Sequence, residues 1–128
     1  MQKSAGGSTG GWIGVDLDGC LAKYDGWKGP MHIGDPVPLM LQRVKDWLAA
    51  GQEVRIFTAR VSHDGSENRK IEAAKAAYAI QLWCLEHLGQ KLEITNEKDY
   101  ATLEIWDDRA VQVEPNTGVI LGRSTRGI

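Results

Sequence analysis

The sequence predicts an α/β domain built on a central, mainly parallel sheet, and three observations carry that prediction. Short apolar, β-prone runs alternate with longer stretches whose apolar residues recur at helical spacing. The opening order is strand, helix, strand, which implies a right-handed crossover and hence parallel strands. Acidic, hydroxyl and basic residues gather directly after the apolar runs, at their carboxyl ends, which is where parallel sheets bind ligands.

With 128 residues, the chain has the length of one domain with a substantial core. Its apolar share of 42% and charged share of 25% are those of an ordinary globular protein. A formal net charge of -2 provides no basic footprint for nucleic acid. No apolar run approaches the length of a membrane span. Cys20 and Cys84 stand far apart, outside any metal-type spacing, so reduced thiols and a cytoplasmic setting are expected. Residues 1–10 are rich in Gly and Ser and read as a disordered or tag-like segment, leaving 11–128 as the single domain.

Trp12-Ile13-Gly14-Val15-Asp16-Leu17-Asp18-Gly19 reads as a buried strand running into two carboxylates and a glycine. Acids in that position are costly to desolvate unless paired, and Mg²⁺ is the usual partner of such oxygen ligands. An acidic turn without a ligand is the simpler alternative. Cys20 to Asp35 is a long, glycine-broken connection in which Tyr24, Trp27, Met31 and His32 could form a flap. A helix follows, with Asp35 as its expected cap, Pro36 or Pro38 in its first turn and Gly51 at its end. Its stripe is Val37, Met40, Leu41, Val44, Trp47 and Leu48.

Glu53–Phe57 is the second strand and delivers Thr58, Ala59 and Arg60. A hydroxyl followed by backbone N–H groups can hold a phosphate oxygen; a hydroxyl bonded within its own turn is the alternative. His63 reads as a solvated loop residue. Asp64 and Glu67 resemble a capping box for a helix reaching about Leu88, with Ile71, Ala74, Tyr78, Leu82, Leu85 and Leu88 as the apolar stripe and Gly89 as its stop. His87 suits the last turn of that helix. Leu92–Thr95 is a short third strand, followed by Asn96, Glu97 and Lys98. Ala101–Trp106 is a fourth, ending in Asp107 and Asp108. Val111–Val113 and Val119–Leu121 read as two short strands around a turn, and Arg123 to Ile128 as a frayed tail.

The chemistry that needs these groups together is phosphoryl transfer. A carboxylate, Asp16, can attack phosphorus and become an aspartyl-phosphate. Asp18 is placed to protonate the leaving oxygen and then activate water. Because a carboxylate and a phosphate repel, Mg²⁺ and an ammonium are required. Lys98 is chosen over Lys91, which precedes the third strand and so belongs to the opposite edge.

Asp16-Leu17-Asp18-Gly19, Thr58, Lys98 and Asp107-Asp108, in that order, resemble the four motifs of the haloacid dehalogenase-like (HAD) phosphohydrolase superfamily, from about Trp12 to Val113. The resemblance implies a Rossmann-like three-layer sandwich, Mg²⁺ dependence and a phosphatase acting through an aspartyl-phosphate. It implies Asp16 as nucleophile, Asp18 as general acid/base, Thr58 as phosphoryl ligand and Lys98 as charge stabiliser. The metal would be held by Asp16, Asp107, Asp108 and the backbone carbonyl of Asp18.

Cys20 departs from the Thr common after the first motif, and a thiol donates a weaker hydrogen bond. Asp18 argues against a dehalogenase. Neither interval between motifs has room for a cap domain, so the site should be open, serving a large substrate or closed by a second subunit of a homo-oligomer. The phosphorylated substrate could be a phosphosugar, nucleotide, nucleic-acid end or phosphoprotein. A receiver-like domain fits less well, since its acidic pair belongs to the first strand. A non-catalytic phosphate-binding module and a phosphotransferase or phosphomutase are the other readings.

Overall fold

A computed structural model describes residues 10–124. The expected N-terminal segment, apart from Gly10, and the tail beyond Ser124 lie outside the described residues. Four strands, β1 (Trp12–Val15), β2 (Glu53–Phe57), β3 (Glu93–Thr95) and β4 (Thr102–Trp106), form one sheet in the order β3-β2-β1-β4. Every pairing is parallel. Two helices connect them, α1 (Pro38–Ala49) between β1 and β2, and α2 (Glu67–Leu88) between β2 and β3.

The topology follows from handedness. Two successive right-handed crossovers step the same way along the sheet, so both helices land on one face. Met40 and Val44 of α1 and Ile80, Trp83 and Cys84 of α2 accordingly share one core with Ile13, Val15, Val54 and Ile56. The alternate strand residues point the other way. The chain then reverses direction, passing from β3 at one edge to β4 at the other, and the same hand requires the opposite face. The Asn96–Ala101 connection makes that passage without a helix. Trp12 donates its indole N–H to Asp99 at 2.9 Å, and Arg55 stacks on the Trp12 ring at 4.6 Å. The expected three-layer sandwich is therefore two layers plus a crossing loop among the described residues.

Four local expectations are corrected. Asp35 does not cap α1; Val37 occupies that position without a side-chain bond, and Pro38 begins the helix. Asp35 is held elsewhere, its carbonyl accepting from the Lys23 N–H at 2.8 Å at the base of the long loop. In α2 the cap is Ser66, whose hydroxyl accepts from the Arg69 N–H, while Asp64 accepts from the Ser66 N–H. The buried face of α2 is Ala73, Ala76, Ala79, Ile80, Trp83 and Cys84 rather than the stripe beginning at Ile71. Both faces of this helix carry apolar residues, and the buried one is lined with small alanines at 73, 76 and 79. Gly89 closes α2 in the left-handed conformation at φ 78°, as its position implies. The two expected strands after β4 reduce to a single antiparallel bridge, Val113 with Ile120, across a turn with positive φ at Asn116 and Gly118.

Candidate active site

β1 sits between β2 and β4, so the strand order changes direction beside it. That switch point opens a crevice at the carboxyl ends of the strands. A cavity of about 430 Å³ occupies it, lined by Asp16 and Asp18 after β1, Thr58, Ala59 and Arg60 after β2, and Asp107, Asp108 and Arg109 after β4. Arg69 and Glu72 reach it from the start of α2, and Tyr24, Trp27 and Pro30 from the long loop.

The turn after β1 is built for close approach. Gly19 has φ +87°, and a Cβ there would meet the Asp108 carboxylate at 2.5 Å. No residue with a side chain fits without displacing that acid. Cys20 donates its thiol to the Trp106 carbonyl, with sulfur 3.6 Å from oxygen, which ties this turn to the end of β4. Burial and then the charge of Asp16 push the Cys20 thiol up to about 11, so it stays a donor.

Asp16, Asp107 and Asp108 each offer an oxygen, and these oxygens lie within 4.8 Å of one another. Desolvation by burial, then the hydrogen bond with Asp108, then the charges of Asp107, Asp108 and Asp18 raise the Asp16 carboxyl to about 8. This donor set fits a hard divalent cation. The oxygens are all carboxylate, the backbone N–H of Arg109 orients Asp107 at 2.6 Å, and at bond lengths of ~2.1 Å a modest inward turn suffices. Asp16, Asp107 and Asp108 would hold the ion.

Asp18 faces a different partner. Arg60 grips both its oxygens, Nε to Oδ2 and Nη2 to Oδ1, each at 2.8 Å. The Arg60 side chain is only 5% exposed, so this bidentate pair is well shielded from solvent. The same guanidinium donates to the Pro30 carbonyl at 3.4 Å and lies 4.9 Å from the centre of the Trp27 ring. It thereby joins β1, β2 and the loop. Of the expected flap residues, Tyr24 and Trp27 line the cavity, while Met31 and His32 are exposed outside it.

Thr58 is buried and begins a single 3-10 turn, Ala59–Val61. Its hydroxyl oxygen accepts from the Arg60 N–H at 3.1 Å, the local-turn bond, and its own O–H remains available to the cavity. His63 is exposed, its Nδ1 accepting from the Gly65 N–H.

Lys98 is not brought to this cavity. It is exposed in the Asn96–Ala101 crossing, and the next residue already bonds Trp12 at the amino end of β1. The chain at Lys98 has left the carboxyl edge because the crossing begins immediately after β3. Lys91 lies at the amino edge, with Gly51, Gln52 and Glu53, as expected. The cations that do line the cavity are Arg60, Arg69 and Arg109. Arg69 and Glu72 could be found only by knowing that α2 starts at the cavity mouth. Arg109 carried a signal, since it follows the acidic pair directly.

Among the described residues no helix is long and apolar enough to cross a membrane. No protein-family model matches the chain, and no curated protein or solved structure does.

Proposed function

We propose that the protein is a Mg²⁺-dependent phosphohydrolase of the HAD-like kind, acting through a phosphorylated Asp16. One observation carries this reading: carboxylates from the ends of two neighbouring parallel strands, Asp16, Asp107 and Asp108, converge within 4.8 Å in a cavity that also holds Thr58 and Arg109. A divalent cation, when bound, supplies the positive charge that lets a phosphate approach these acids. Asp16 then forms the oxygen–phosphorus bond while the ester oxygen departs with its bonding pair. Asp18 gives that oxygen a proton and later takes one from the water that attacks the Asp16 phosphate, which returns Asp16 and releases inorganic phosphate. For either transfer the bidentate grip of Arg60 on Asp18 must loosen. Thr58 and Arg109 orient the phosphoryl oxygens. Both cysteines are free thiols, which supports a reducing, cytoplasmic setting.

The arginine grip on Asp18 and the position of Lys98 favour a second reading, a module that binds phosphate esters without turning them over. Incubation of the full chain with p-nitrophenyl phosphate and Mg²⁺, followed by acid quench and peptide mass mapping, separates the two. Nitrophenol release with phosphate on Asp16 supports the hydrolase. Saturable binding of inorganic phosphate without release supports the binding module. A phosphate found on another residue would overturn the mechanism.

A further inference from the structure

The exposed face of α2 is the strongest unexplained feature outside the cavity. Ile71, Tyr78, Leu82 and Leu85 are between 43% and 60% exposed, along one stripe of a 22-residue helix. The opposite face of the same helix is in the core, so this stripe is additional to what folding requires. We infer that it is a self-association surface, on which α2 of a second copy packs antiparallel about a two-fold axis.

The occupant is argued from the sequence of the stripe and its flank. Lys75 and Glu86 are both exposed and, at 100° per residue, lie on the same side of the stripe. In an antiparallel two-fold pair, like flanks face one another, so a residue meets the position equally far beyond the axis. An axis near position 80 sets Tyr78 against Leu82 of the other copy, and Leu82 against its Tyr78. The same axis brings Lys75 within about one residue rise of the other copy's Glu86, twice per dimer. The axis that sets Tyr78 against Leu82 thus also brings the opposite charges together, while Leu85 falls opposite the stem of Lys75 and Ile71 opposite Gly89 of the other copy. A parallel pair would send this flank of one copy to the opposite side of the interface from that of the other, so Lys75 would meet no Glu86. The stripe from Ile71 to Leu85 is ~21 Å long, short of a standard interface, so dissociation in the micromolar range is expected. Arg69 and Glu72, which line the cavity, lie on the side of α2 away from this stripe, so the dimer leaves the cavity open.

Sedimentation of the full chain from about 1 to 300 μM tests this. A monomer–dimer equilibrium is expected. Tyr78→Glu and Leu82→Glu should abolish it while circular dichroism and melting stay near wild type, since both positions are exposed. Lys75→Glu should weaken the dimer by about fivefold to tenfold, and Lys75→Glu with Glu86→Lys should restore it. A monomer throughout the range overturns the inference, as does a dimer indifferent to Leu82→Glu, or a charge swap without recovery.

Discussion

Asp16→Asn should make the cation-free protein more stable while abolishing turnover. The carboxyl rises from its ordinary 3.8 to about 8, chiefly through burial and its crowded acidic neighbours. Converted directly, that rise corresponds to about 6 kcal/mol against the folded state at high pH. Solvent reaches the cavity and screens part of it, so roughly 2–3 kcal/mol is the working figure. Asn keeps the shape, carries no charge and can donate to Asp108. For a domain of this size the gain is roughly 8–12 °C in melting temperature at pH 8. The pH dependence has a definite sign. Below about pH 4, Asp16 is protonated in the folded and unfolded chains alike, and the two proteins should melt together. Between pH 4 and 8 the unfolded chain releases the proton that the folded chain keeps, so wild type loses ground steadily. Above pH 8 the gap is constant. Melting curves in chelator at pH 4, 6 and 8 measure it. A gap independent of pH, or a less stable Asn variant at pH 8, would refute the assignment of strain to Asp16.

Adding Mg²⁺ should reverse that ranking, since wild type gains binding energy by mass action and the variant lacks a ligand; equal melting shifts in both would count against the three-carboxylate site. Arg60→Ala should cost about 2–3 kcal/mol by leaving Asp18 without its partner, and should alter the fluorescence of Trp27; Arg60→Lys, which keeps charge but not the fork, should recover only part. Lys98→Ala should leave phosphatase activity within about twofold, whereas Arg109→Ala should lower it on the order of a hundredfold. The reverse ranking in steady-state assays would mean that the Asn96–Ala101 crossing reaches the cavity when substrate is bound.

The strands were legible because each is a brief β-prone run with a polar stop, and β2 matches residue for residue. That Asp16, Asp18, Thr58, Asp107 and Asp108 would gather in one place was legible because parallel strands send their carboxyl ends to one edge. Lys98 misled because it follows a strand, the same signal, yet the chain turns away at once to reach the far edge. Periodicity also misread α2. A helix with two apolar faces offers two stripes, and nothing local says that the one with alanines at 73, 76 and 79 will be buried. The clasp of Arg60 on Asp18 is a contact across 42 positions, which no local pattern encodes. The brevity of the connection between Thr95 and Ala101 was legible, and among the described residues it leaves the second face without a helix.

Among the described residues β4 lies at the rim of the sheet, pairs only with β1, and has two of its five residues exposed. Its register joins Val15 to Trp106, so closing that loop costs about 4 kcal/mol of chain entropy before any pairing is gained. β1, α1 and β2 are contiguous and can assemble without it. Asp107 and Asp108 therefore ride on an edge strand whose docking needs a long loop closure. The complete carboxylate trio exists only when the rim strand is zipped, which couples ligand capture to local unfolding. Amide exchange in β4 should slow on Mg²⁺ addition by a larger factor than in β2, and a uniform effect across both would place the coupling elsewhere.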